Sequence, residues 1–285
     1  MQCSITSLAP LLAALSLTAC AAAQSPANLN NTNAPRPGGT AVATSATDTS
    51  RHLAPGLDVG MWVWHREEVV DAEARARLLE FCQTYGITRL FVQVRFEPAP
   101  GGRLALATPK EWHALLSAAH RAGIKVEALD GGNAMGFAQN RADTLAKLDA
   151  VLAFHRAQPA GARFAGIHYD IEPYTSARWK SGDEPAVMVE FIETAVALRA
   201  AVRAADPELT ISHDIPFFYD GQDKYVVAFD GVEKNFHQHI QDVSDYIGIM
   251  SYRTRATGPN SVTAISAAEL AYGRKLGRPV YLSLE

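Results

Sequence analysis

The stretch Phe164-Ala165-Gly166-Ile167-His168-Tyr169-Asp170-Ile171-Glu172 alternates between two kinds of side chain. In an extended strand successive side chains point to opposite faces, so Ile167, Tyr169 and Ile171 share one face and His168, Asp170 and Glu172 the other. The apolar face suits packing against helices. The polar face then points into the interior, with Glu172 nearest the mouth.

Outward from this strand the same rhythm repeats. Candidate strands at 61–65 (MWVWH), 88–94 (TRLFVQV), 125–129 (KVEAL), 164–172, 209–215 (LTISHDI), 245–252 (DYIGIMSY) and 279–285 (PVYLSLE) are separated by helical stretches. These stretches, such as DAEARARLLEFCQTYG and EPAVMVEFIETAVALRAAVRAADP, carry apolar residues at i, i+3, i+4 and i+7. Asp71, Thr108 and Asp143 mark helix starts, and Gly86 and Gly123 mark stops. Such an order argues for parallel strands joined by right-handed crossovers. The expected fold is an α/β (β/α)₈ TIM barrel, not a doubly wound sheet, since no Gly-x-Gly-x-x-Gly turn follows the first strand. The seventh strand ends at Glu285, so the barrel is expected to lack its eighth β/α unit and to leave two strand edges open.

In a barrel of this kind the reactive groups sit at the C-terminal ends of the strands. Three ionisable groups on one buried face are costly unless they are paired or have a task. Asp170 and Glu172, at adjacent inward positions, repel when both are ionised. One is thereby pushed to a higher pKa and stays protonated near neutral pH, the state a general acid requires. Glu172 is the expected general acid, tuned by Asp170.

Residues 164–172 resemble the Asp-x-x-Asp-x-Asp-x-Glu signature of family 18 glycoside hydrolases, the chitinase group, which are (β/α)₈ barrels. Asp170 falls on the last Asp and Glu172 on the catalytic Glu, while Ala165 and His168 replace the first two acids. The segment Ile249-Met250-Ser251-Tyr252-Arg253 resembles that family's Met-x-Tyr-Asp motif, whose Tyr helps stabilise the reacting N-acetyl group; Arg253 replaces its Asp. The run Asp170-Ile171-Glu172-Pro173-Tyr174 is also similar to that of bacterial barrel lipoproteins with an Asp-x-Glu-Pro-Tyr motif. The resemblance spans residues 57–285 and implies catalytic roles for Glu172, Asp170 and Tyr252. Glu285 opens a second pairing, because many retaining glycosidases of this fold carry one Glu after strand four and another after strand seven. A Glu172–Glu285 carboxyl separation of about 5–5.5 Å favours direct attack, and a longer one favours water or the substrate's own acetamido group.

Other residues fall at the same mouth. Gln93, Arg95 and Glu97 alternate inward on the second strand, where Arg95 is expected to hold Asp170 ionised, to grip an acidic sugar or to form an internal salt bridge. Tyr174, Trp179 and Tyr219 are candidate walls on which sugar rings stack, and His168 and Met250 complete the substrate-binding set. Trp62 reads as core. His213 and Asp214 point to opposite faces, so at most one enters the barrel, and His213 reads as a hydrogen-bonded core histidine. The spacing of His237 and His239 does not suit a metal, and no metal or cofactor is expected. Cys82, among Leu78, Leu79, Phe81 and Tyr85 at helical spacing, reads as packing.

A chain of 285 residues, 48% apolar and 20% charged, has ample material for a core. A net charge of −4 without basic clusters argues against a nucleic-acid partner. Of three cysteines, two lie in the first twenty residues, which excludes a disulfide framework within the domain. Residues 8–19 (LAPLLAALSLTA) form an apolar run too short to span a bilayer and suited to a signal peptide. The run ends in Leu17-Thr18-Ala19-Cys20, which resembles a lipobox with Cys20 as the acylated residue; ordinary cleavage near Ala21 to Ala23 is the alternative. Residues 21–55 are too poor in large apolar side chains to offset their ordering entropy and read as a tether. The expected organisation is a signal peptide over 1–20, a linker over 21–55 and the barrel over 56–285, exported and held at the cell envelope by a lipid anchor alone. Function is expected to be glycoside hydrolase-like, acting on or binding a poly- or oligosaccharide. The alternatives are a non-catalytic carbohydrate-binding lipoprotein and an inactive truncated barrel.

Overall fold

The structure, a computed structural model, describes residues 57–221 and 223–284. Seven strands form one sheet: β1 (Gly60–Val63), β2 (Arg89–Gln93), β3 (Lys125–Gly131), β4 (Gly166–Asp170), β5 (Thr210–Pro216), β6 (Tyr246–Met250) and β7 (Val280–Leu282). They lie in chain order and every neighbouring pair is parallel. This curled sheet carries seven repeats of the expected (β/α)₈ barrel. The strands coincide with the sequence expectation to within a few residues at each end.

Helices α1 (Ala72–Tyr85), α2 (Pro109–Arg121), α3 (Arg141–Ala157), α4 (Glu184–Ala205), α5 (Phe236–Asp242) and α6 (Ala267–Leu276) supply the crossovers. Asp71 caps α1 by accepting from the Ala74 N–H at 2.7 Å, and Gly86 ends it in the left-handed conformation. The longest, α4, buries Val187, Met188, Phe191, Ile192, Ala195, Leu198 and Val202 along one face. That face meets the outward side chains of the strands, including Ile167, Tyr169, Ile211, Ile215, Ile247 and Ile249, in a single apolar layer. Cys82 is fully buried in it. Two antiparallel ribbons, Phe96–Ala99 with Arg103–Leu106 and Val226–Phe229 with Val232–Asn235, follow β2 and β5. The first corrects the sequence reading, in which the second strand ran inward as far as Glu97: β2 stops at Gln93 and the chain turns into a ribbon.

The opposite face of the sheet is polar as well as aromatic. Phe91, Leu129 and Tyr246 cluster there with Trp62 and Tyr281, and below them lies a charged network. Buried Arg89 donates to Glu127 and, at 2.8 Å, to Asp58, while the Tyr246 hydroxyl donates to Glu127 at 2.6 Å and that of Tyr281 to Asp58 at 2.6 Å. Burial opposes ionisation of Asp58, but Arg89, Thr88 and Tyr281 hold its pKa down at about 2. Contacts between residue 58, just ahead of β1, and Tyr281 of β7 are possible only because the sheet rolls its two edges toward each other. Glycine permits the close packing inside: a Cβ at Gly166 would lie 2.1 Å from the Thr210 hydroxyl and 2.8 Å from the Glu127 carboxylate.

Glu127→Ala is expected to destabilise the fold by about 3–5 kcal/mol, because it removes one of the two carboxylates that hold the buried Arg89 guanidinium and leaves the Tyr246 hydroxyl without its acceptor. Urea unfolding followed by tryptophan fluorescence measures this, and a loss below about 1 kcal/mol would show that the network does not hold the rolled sheet together.

Candidate active site

The inner face of β4 presents its side chains in the expected order. His168 is fixed by β5: its Nδ1 lies 2.7 Å from the Ser212 hydroxyl and its Nε2 2.8 Å from Asp214 Oδ2. Phe91 stacks on the imidazole at 4.1 Å between centroids. Trp62, expected as core, donates its indole N–H to the same Asp214 oxygen at 2.9 Å. Burial alone would drive the His168 pKa down; Asp214, with Glu127 and Asp170 behind it, more than reverses this and raises it. The other Asp214 oxygen, Oδ1, is buried without a hydrogen-bond partner among the described residues. It fits only because position 248 is glycine, where a Cβ would sit 2.1 Å from it.

Asp170 comes one step nearer the mouth. Burial, then the carboxyls of Asp214 and Glu172, raise its pKa from 3.8 to about 7 against the opposing pull of His168. Its Oδ1 is buried and likewise has no hydrogen-bond partner among the described residues. The strand ends here, and Glu172 follows just ahead of the 3₁₀ turn Pro173–Thr175. Tyr174 in that turn donates its hydroxyl to Glu172 Oε1, with Met250 Sδ of β6 3.9 Å away. Tyr252, two residues beyond β6 and 39% exposed, interacts electrostatically with Tyr174 at the same mouth. Asp170, Glu172, Tyr174, Met250 and Tyr252 therefore converge, with His168 beneath them.

Other expected site residues are placed differently. Arg95 is exposed in the turn into the first ribbon, where it donates to Gln93 Oε1 at 2.8 Å and not to Asp170. Trp179 and Tyr219 are not walls of the mouth: they are 5% and 0% exposed and stack on each other at 6.0 Å. Phe236 backs Tyr219 at 4.6 Å, so these rings form an apolar pillar that supports Tyr174 from behind. His213 lies on the outer face, 2.9 Å from the Ser244 hydroxyl, and burial, then the charge of His168, pushes its pKa down to about 3. His237 and His239 are taken up by Gln241 and by the Val227 carbonyl. Glu285 and Cys20 lie outside the described residues.

Asp214, Ser212 and Trp62 are the inner-face residues that sequence reasoning undervalued. Strand alternation puts Ser212 and Asp214 on one face, and the pairing of Gly248 with Asp214 makes that the inner one. Arg253, standing where the resemblance places an Asp, donates to the Tyr252 carbonyl at 2.8 Å and to Asn260 at 3.1 Å and lies over Phe217.

No family model matches the sequence, and no curated protein matches it. Among solved structures the chain is similar to the C-terminal domain of a putative chitinase from Desulfitobacterium hafniense, at 13% identity and a TM-score of 0.48 over 76% of this chain and 63% of that one. It is similar to a chitinase from Chromobacterium violaceum at 14% identity and a TM-score of 0.47, over 77% of this chain and 65% of that one. A third is a family 18 chitinase from Cycas revoluta solved with (GlcNAc)4, at 17% identity and a TM-score of 0.46, over 78% of this chain and 66% of that one. The chain spans less than two thirds of the length of each of these three.

Proposed function

We propose that this protein is a glycoside hydrolase that cleaves an oligo- or polysaccharide at the mouth formed by the C-terminal ends of β4 and β6. The observation that carries this reading is the place of Asp170, buried on the inner face between the carboxyls of Asp214 and Glu172 with its Oδ1 unpartnered among the described residues, a setting that raises its pKa to about 7. The Asp170 proton passes to Glu172, nearest the mouth, which delivers it to the glycosidic oxygen as that bond breaks; Asp170, now an anion, stabilises the oxocarbenium-like transition state, and water adds to the anomeric carbon and returns its proton to the carboxyls. The Tyr174 hydroxyl fixes the orientation of Glu172, and Tyr252 positions the sugar. Export and lipid anchoring at Cys20 belong to the same proposal, with the barrel presented to glycans of the cell envelope. A second reading, binding without turnover, is favoured by Arg253, which occupies the place of an acid.

On a glycan panel Glu172→Gln is expected to retain binding and to lose about 10²–10⁴-fold in kcat. Wild-type protein that binds glycans and releases no product would leave the binding reading in its place. Active enzyme is expected to slow as pH rises through about 7, because the proton on Asp170 is then lost.

Stability supplies an independent check. The folded state holds a proton on Asp170 that an unfolded chain releases above its ordinary value of 3.8, so stability falls as pH rises from there to about 7. Asp170→Asn removes this dependence. The variant is expected to match wild type near pH 4 and to exceed it by about 3–4 kcal/mol near pH 8. Denaturation midpoints at the two pH values decide this, and an equal offset at both would show that Asp170 keeps no proton.

A further inference from the structure

At the ends of β1 and β2 lies a shallow surface cleft, enclosing about 10 Å³, that the proposed chemistry does not use. Trp64, Arg66, Gln93 and Arg95 line it, with buried Trp112 as its floor. Val63 of β1 pairs with Val92 of β2, which sets Trp64 beside Gln93 on the continuation of the inner face. Trp64 is 46% exposed, unlike the three other tryptophans, which are buried or half-buried. Large apolar rings left in water at the mouth of a barrel are natural stacking platforms.

Both arginines are exposed. Arg66 and Arg95 are in no ion pair among the described residues, although Glu68 and Glu97 lie on the same segments. The Gln93 amide oxygen takes one Arg95 N–H and fixes the direction of that guanidinium, which leaves its other donors free for a ligand. An aromatic platform flanked by two uncommitted guanidinium forks matches a pyranose ring that bears an anionic group.

We infer that this cleft is a subsite for an anionic sugar, a ring carrying a carboxylate or a sulfate, seated on Trp64 and held by Arg66 and Arg95. The inference rests on the glycoside hydrolase reading and names its substrate class: an acidic glycan, with the charged ring bound on the β1–β2 side of the bond to be cleaved.

The test uses two matched pairs of oligosaccharides, titrated calorimetrically into the full chain. One pair is an oligogalacturonide and its methyl ester; the other is a sulfated galactan fragment and its neutral parent. The charged member of at least one pair is expected to bind roughly tenfold or more tightly than its neutral counterpart, and which pair responds separates carboxylate from sulfate recognition. This advantage shrinks as salt rises. Arg66→Gln and Arg95→Gln each remove most of it, Arg95→Lys removes part, and Trp64→Ala weakens charged and neutral members alike. All three positions of change carry exposed side chains, and unchanged melting curves verify folding. Equal binding of charged and neutral members by wild type, or an advantage that survives in the double arginine variant, overturns the inference; the hydrolase reading stands if neutral glycans are still bound or cleaved. No binding of any saccharide overturns both.

Discussion

His168 reaches from β4 to β5 and sets its Nε2 2.8 Å from Asp214, whose same oxygen accepts the Trp62 indole N–H. This contact lies inside the rolled sheet, where an unpaired charge would cost several kcal/mol. Charge balance there constrains what surrounds it. Arg89 is committed to Asp58 and Glu127 at the lower end, and His168 to Asp214 in the middle. Asp170 faces carboxyls above and below with only a share of His168, and it resolves the imbalance by keeping a proton. A group that carries a proton because its neighbours leave it no cation is prepared for proton transfer.

The positions of the strands could be read from the sequence because periodicity records burial. The alternation in residues 164–172 and the apolar spacing in α4 each express one face packed against another, and local pattern suffices for that. The choice of inner face for His168, Asp170 and Glu172 followed from the same rule. Asp214 did not, since His213 beside it is equally polar and only the pairing of β5 with β6 shows which of them points inward. Trp179 and Tyr219 show the opposite failure. Aromatic residues in a loop beside acids look like sugar platforms, but loop residues have no periodicity to reveal which way they face, and these two pack on Tyr225 and Phe236. Arg95 was misplaced for a related reason: alternation does not announce that a strand has ended, and β2 gives way to a ribbon at Gln93.

The apolar pillar behind the mouth bears on the proposed chemistry. Tyr174 meets Phe218 and Tyr219 edge-on, at 5.2 and 6.2 Å, and this packing leaves its hydroxyl directed at Glu172. A carboxyl held by a rigid phenol donor loses rotational freedom before any ligand arrives, which is the preorganisation that proton delivery needs. Burial, then Glu172, pushes the Tyr174 pKa upward, so the phenol remains a donor at any pH where the fold survives.

His168 stands where the resemblance places an acid, and the consequence can be followed through the electrostatics. Two acids on one strand below Glu172 would put a second carboxyl beside Asp170 with no cation between them. Here that second carboxyl is Asp214, supplied from the neighbouring strand, and an imidazole is wedged against it. Asp214 raises the pKa of Asp170 and His168 lowers it, so the net push is smaller than an unshielded carboxyl at that distance would give. The value of about 7 is the result of this opposition. A higher value would lock the proton in place across the physiological range; a lower one would leave nothing to transfer. With His168 set against Asp214, the inner face still carries a carboxyl beside Asp170, supplied by β5, and the imidazole moderates how far that carboxyl raises the pKa of Asp170.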